Sequence, residues 1–280
     1  MKVKKYINDA LSVKDITPFL SDNTIAGKIK VYDSLESTNK TAKESALSGT
    51  SKECGATIII AQHQTAGRGR LNRSFHSPPE SGIYMSFVLC CRSDGGATPF
   101  SRTPSLITAY AAVAVCQAIE ATTKKTPQIK WVNDVFLGTE KICGILTEAV
   151  TNSSNNTIQQ VIVGIGVNFT MPESGFPKEI SNTAGALFTK EQPTTTKNRL
   201  AAEIINRMLH AENGFNNETL LCEYKKRLMM LNKRITVSDV KETYEATAID
   251  VDGTGQLIVK KDNGETLSLC YGDISVTTLQ

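Results

Sequence analysis

The pattern of apolar and polar positions changes character at about residue 232. Before that point, short apolar runs at 29–32, 57–62, 83–91, 129–131, 135–137, 142–149 and 158–168 have strand length, and the β-branched run 57–62 reads as a central strand. Helical spacing begins at Ser37, with Ala42, Ala46 and Leu47 on one face. It returns over 104–122, where Leu106, Ala109, Tyr110, Val113, Cys116 and Ile119 recur as packing groups, and over 196–213 and 217–231. Residues 138–141 and 152–157 read as hairpin loops. Together these elements predict a mixed α/β layer arrangement. After residue 232, alternating runs at 235–237, 242–250, 256–259 and 266–269 are separated by turn signals at Asp252-Gly253 and Asn263-Gly264, which predicts a small all-β module. Residues 1–27, interrupted by Pro18, read as a short N-terminal extension.

Composition narrows the classes without naming one. A chain of 280 residues corresponds to about two domains at ~150 residues each. No run approaches the ~18 consecutive apolar residues of a membrane span, and the N-terminus MKVKKYINDA lacks a signal-peptide core, so a cytoplasmic location is expected. Seven irregularly spaced cysteines fit free thiols better than a disulfide framework, and with only His63, His76 and His210 available no structural zinc is expected. A net charge of +3 is too mild to indicate a nucleic-acid partner.

The chemistry is concentrated in residues 65–78, TAGRGRLNRSFHSP. Glycine permits close backbone approach and arginine pairs bidentately with phosphate or carboxylate oxygens, so the segment is a candidate anion site. An arginine-rich loop of this kind has few apolar contacts to hold it and is expected to order around an anion. Four further pieces accompany it: ESTN at 36–39, KWVND at 130–134, KICGIL at 141–146 and GIGVNF at 164–169.

This ordered set closely resembles the biotin protein ligases, from about residue 28 to 231 and on into the C-terminal segment. The resemblance implies an α+β protein: a mixed-sheet catalytic domain over 28–231, related to class II aminoacyl-tRNA synthetases, and an SH3-like barrel over 232–280. It implies an enzyme that joins biotin and ATP, with Mg2+, into biotinyl-5'-AMP and then transfers biotin to a lysine of the biotin carboxyl carrier domain of a biotin-dependent carboxylase. The short stretch before residue 28 fits the type without an N-terminal DNA-binding domain, so no DNA or membrane partner is expected. The oligomeric state stays open, a homodimer being one option.

Site roles follow from the same resemblance. Catalysis would rest on Lys141, Asp134 and Arg70. Biotin would meet Ser37, Thr38, Asn39, Gln64, Gly67, Arg68, Gly69, Arg70, Lys141 and Gly144, whose short polar groups suit a ureido ring. ATP would meet Arg68, Arg70, Arg73, Phe75, Lys130, Asn133, Lys141 and Asn168, and no metal ligands are assigned. Each has a plainer alternative. Ser37 to Asn39 could cap a helix, Asn133-Asp134 could be turn residues, Lys141 a solvated turn lysine, Gly144 a bulge glycine and GIGVN a strand end. Trp131 reads as core. Three positions depart from the family pattern: Asn72 stands for a glycine and can keep a positive φ, Phe75 stands for a tryptophan and loses its indole donor, and Thr277 stands where many relatives have an arginine. The rival readings are a lipoate or octanoate ligase of the same superfamily and a nucleic-acid-binding repressor.

Overall fold

A computed structural model describes residues 9–48, 57–91, 104–151, 157–210, 216–238, 242–270 and 272–276. Strands β1 (Ile29–Tyr32), β2 (Thr57–Ala61), β3 (Gly82–Cys90), β4 (Gln128–Lys130), β5 (Asp134–Leu137), β6 (Glu140–Thr151) and β7 (Ile158–Asn168) form one mixed sheet in the order β1-β2-β3-β7-β6-β5-β4. Only β1 and β2 pair in parallel among these strands. The central strands are apolar at nearly every position because both faces of the sheet are covered.

Helices supply the two covers. After the single-turn α1 (Val13–Ile16), α2 (Thr38–Leu47) lies on one face against β2, β3 and β7. On the other face α3 (Pro104–Thr123) packs on the sheet and against α4 (Lys197–His210) and α5 (Asn217–Arg227). Helix α3 is long and apolar enough to cross a membrane, but 72% of its apolar window is buried within the protein, as befits a core helix. Residues Leu11, Ile16, Leu20 and Ile25, ahead of β1, are buried in the same core. Gln62 pins this segment, accepting from Leu11 N at 3.1 Å and donating to Leu11 O at 2.6 Å.

The second sheet is wholly antiparallel, in the order β11-β10-β9-β8-β12, built from β8 (Arg234–Ser238), β9 (Thr243–Val251), β10 (Leu257–Lys260), β11 (Thr266–Leu269) and β12 (Asp273–Val276). It is consistent with the expected SH3-like module. Strand β12 was not among the predicted runs; its pairing with β8 shows that Asp273 to Val276 close the sheet. Trp131 joins the two sheets: it is buried, and its indole Nε1 donates to Gly255 O at 3.0 Å.

Two local expectations change. Lys141 lies in strand β6, not in a turn, and only Gly138 and Thr139 make the bend. The cause is a neighbouring segment: Lys141 N donates to Thr183 O at 2.7 Å, and Gly185 N donates to Lys141 O at 2.9 Å. Helix α5 stops at Arg227 because Leu228 bridges to Ile129 and Met229 N donates to Ile129 O at 3.0 Å.

Candidate active site

Strand parity builds the site. Along β7, Val161, Val163, Ile165 and Val167 enter the main core, so Gly164, Gly166 and Asn168 face the other side. Along β6, Cys143 and Ile145 enter the core, leaving Gly144, Leu146 and Glu148 on that same opposite side. Cross-strand register aligns Tyr84, Gly166 and Gly144 in one row and Ser86, Gly164 and Leu146 in the next. The three glycines remove side chains from the middle of the sheet and leave a trough.

The near end of the trough is a nest of polar side chains. Ser37, Thr38 and Asn39 open α2, and all three are buried. Ser37 makes no side-chain cap bond, so capping is not its job. Gln64 Oε1 accepts from Thr38 N at 2.8 Å and from Thr38 Oγ1 at 3.1 Å, while Gln64 Nε2 donates to Ser77 Oγ at 2.8 Å. Ser86 Oγ stands 2.7 Å from Thr38 Oγ1 and donates to Asn39 Oδ1 at 2.6 Å. Asn39 is seated directly on Gly164, where an added Cβ would lie 2.0 Å from Asn39 Oδ1.

The arginine-rich segment folds over the trough as a tight hairpin. Phe75 N donates to Gly67 O at 2.8 Å, Gly69 N donates to Arg73 O at 2.7 Å, and Arg68 bridges to Ser74. The bend carries two positive-φ residues, Leu71 at 53° and Asn72 at 59°. Asn72 therefore holds the conformation expected of a glycine substitute; that Leu71 shares it was not foreseen. Gly67 is obligatory, since a Cβ there would meet Phe75 O at 2.4 Å and Ser77 Oγ at 2.6 Å. The ring of Phe75 sits on the glycine floor, 3.1 Å from a Cβ built on Gly144 and 2.5 Å from one built on Gly166. It gives the loop an apolar anchor that the sequence reading had not credited.

Charged groups line the far end. Lys141 Nζ is 2.8 Å from Asp134 Oδ1. This contact is one of charge alone, since the buried Oδ1 accepts no aligned hydrogen bond. Arg70 Nη1 donates to Asn133 Oδ1 at 3.0 Å, and Asn133 Nδ2 donates to Ile145 O at 2.9 Å. Arg70, Arg73, Lys130, Trp131, Asn133 and Asp134 line a cavity of about 230 Å³ closed on its far side by Ser238, Gly272 and Ile274 of the second sheet. Asn168, buried at the end of β7, donates to Gly185 O at 2.9 Å. Thr38, Asn39, Gln64, Gly144 and Phe75 thus lie along one trough, with Arg70, Asn133, Asp134 and Lys141 at its charged end, Arg68 held by Glu148 and Asn168 by Gly185 O. Sequence reasoning missed Ser86 and Glu148, both on the trough face. Thr277 lies outside the described residues.

Residues 31–168 match the family model described as the biotin/lipoate A/B protein ligase family, and residues 230–276 match the biotin protein ligase C terminal domain. A protein of Bacillus spizizenii named as the bifunctional ligase/repressor BirA is 33% identical over 86% of this chain and 72% of its own length. The chain belongs to the biotin protein ligase family. A Mycobacterium tuberculosis member, named as a ligase of biotin to acetyl-CoA-carboxylase, is 26% identical over 88% of both chains. The fold is shared with the Aquifex aeolicus biotin protein ligase solved with biotin and ATP, at a TM-score of 0.68 and 20% identity, covering 89% of this chain and 98% of that one. The two matched ranges fall on the two sheets: 31–168 spans β1 to β7 and 230–276 spans β8 to β12.

Proposed function

We propose that this chain adenylates biotin and transfers it to a lysine of a biotin carboxyl carrier domain. The observation that carries the reading is the buried nest of Thr38, Asn39 and Gln64 at the end of a glycine-floored trough. A ureido ring brings a carbonyl and two N–H groups and can pair with these amides. A lipoyl or octanoyl chain brings neither and would leave buried polar groups unmatched, at about 1–3 kcal/mol each. With the Phe75 ring lifted off the glycine floor, the trough would take the thioether ring and the valeryl chain, delivering the carboxylate to Lys141.

In the first step an oxygen of that carboxylate attacks the α-phosphorus of ATP, and the bond to the β-phosphate oxygen breaks to release pyrophosphate. Two anions must be held together, and the chain brings Arg70, Arg73, Lys130 and Lys141 to this end, while Arg68 is held by Glu148 beside the amide nest. Lys141 is held by Asp134; taking up the carboxylate and phosphate would draw the ammonium to them and free Asp134. In the second step the ε-amine of the carrier lysine attacks the acyl carbon and AMP leaves. An unperturbed lysine of pKa ~10.4 is mostly ammonium at neutral pH, so a nearby carboxylate such as Asp134 serves to orient the amine and receive its proton. Mg2+ would be held chiefly by the phosphates of ATP; among the described residues no group of three or more His, Cys, Asp or Glu side chains gathers.

The test is incubation with ATP and biotin, with lipoate as control, followed by mass spectrometry for the acyl-adenylate and, after adding a carrier domain, for its biotinylated lysine. Adenylate from lipoate and not from biotin overturns the assignment.

A further inference from the structure

We propose that Glu148 is a positioning residue that sets the hydrogen-bonding polarity of the amide nest and parks the first arginine of the loop. The inference rests on the biotin reading above and deepens it. Glu148 stands on the trough face of β6, four residues beyond Gly144, with its side chain 18% exposed. Its Oε2 accepts from Asn39 Nδ2 at 2.8 Å, and its Oε1 is 3.3 Å from Arg68 Nη1. Two residues far apart in sequence answer to one carboxylate.

The consequence for Asn39 follows from donor and acceptor counting. A carboxylate beside a guanidinium offers acceptors only, so the amide must turn its NH2 end toward Glu148. The second N–H of that group goes to Leu146 O at 3.3 Å, and Oδ1 takes the Ser86 hydroxyl at 2.6 Å. Both donors of Asn39 are spent. What remains is a lone pair on Oδ1, so Asn39 presents an acceptor and selects a ligand N–H at this position. Gln64 is complementary: its Oε1 already accepts from Thr38, and its Nε2 keeps a second N–H beyond the bond to Ser77. A flipped Asn39 would set its oxygen against Glu148 and Leu146 O, which no hydrogen bond could repair. Glu148 thereby acts on ligand selection through Asn39, and on loop placement through Arg68.

The decisive variants are Glu148→Gln, which has the same shape but can face Asn39 with either end, and Glu148→Asp, which keeps an acceptor-only group. For Glu148→Gln the KM for biotin is expected to rise about tenfold while the KM for ATP stays within about twofold, the size of one lost charge-assisted hydrogen bond. Discrimination between biotin and an analogue methylated on its ureido nitrogens should fall in Glu148→Gln and persist in Glu148→Asp. Hydrogen exchange over residues 67–75 of the empty protein should quicken in Glu148→Gln, since Arg68 loses its tether. Unchanged biotin KM and exchange in Glu148→Gln, or the same loss of discrimination in both variants, overturns the proposal. If the parent makes no biotinyl-adenylate, the functional reading fails, and the exchange measurement in the empty protein still decides whether the carboxylate tethers the loop.

Discussion

Replacing Gly164 by alanine tests the trough where it is tightest. The new Cβ would stand 2.0 Å from Asn39 Oδ1 and 2.8 Å from Asn39 Cγ. Asn39 cannot swing aside cheaply, because its amide is held by Ser86, Leu146 O and Glu148 in a buried site. Overpacking of this kind costs about 1–3 kcal/mol, and each hydrogen bond broken to relieve it adds about 1 kcal/mol. A total near 3 kcal/mol lowers the thermal midpoint by roughly 6–12 °C for a chain of this size. The same alanine at Gly166 meets the Phe75 ring at 2.5 Å, but that ring hangs from a loop that can lift. At Gly144 the nearest atom is 3.1 Å away, and a shift of a few tenths of an ångström accommodates it. The expected order of damage is therefore Gly164, Gly166, Gly144, for both the thermal midpoint and the biotin KM in biotin-dependent pyrophosphate exchange. A Gly164→Ala protein that melts and binds biotin like the parent, or that is less affected than Gly144→Ala, refutes this account of the trough.

Three further outcomes are expected. Lys141→Ala should fold normally yet lose about 3 kcal/mol of transition-state stabilisation, or about a hundredfold, in adenylate formation measured by single-turnover mass spectrometry; near-parent rates would remove Lys141 from the chemistry. Arg70→Gly loses the bond to Asn133 and gains backbone freedom, so the variant should release adenylate and biotinylate bystander lysines, and full retention of carrier selectivity would show that Arg70 does not hold the intermediate. Burial pushes the His76 imidazole below its ordinary value of 6.5, and its Nε2 has no hydrogen-bond partner; below pH 6.5 the unfolded chain takes up a proton that the folded one resists, so this contribution to stability is present above 6.5 and lost as pH falls to the folded value. A His76→Phe variant should show a flatter fall in urea stability from pH 7.5 to 5.5 than the parent, and identical profiles would contradict the burial argument.

Most strands and helices were legible because their periods are local: the 158–168 run became β7 within those bounds, and Gly164 and Gly166 already signalled close backbone approach. What approached them was not legible, since Asn39 and Phe75 arrive from segments far away in the chain. Lys141 read as a turn residue because the segment at 183–185 that draws it into β6 has no strand signal of its own. Glu148 went unnoticed for a related reason. The spacing 144, 146, 148 places it on one face, but sequence alone does not say which face of a doubly covered strand holds the trough. The register Gly144↔Gly166 decides that. A slip of one residue would put Cys143 or Ile145 where the glycine floor now lies and carry Glu148 into the core. The same pairing that buries Ile145 and Val167 therefore also creates the glycine floor under Phe75, the seat for Asn39 and the carboxylate that orients it. Core stability and site geometry are here two faces of one strand register, so mutations that loosen the β6–β7 pairing from the core side are expected to reach the biotin end without touching it.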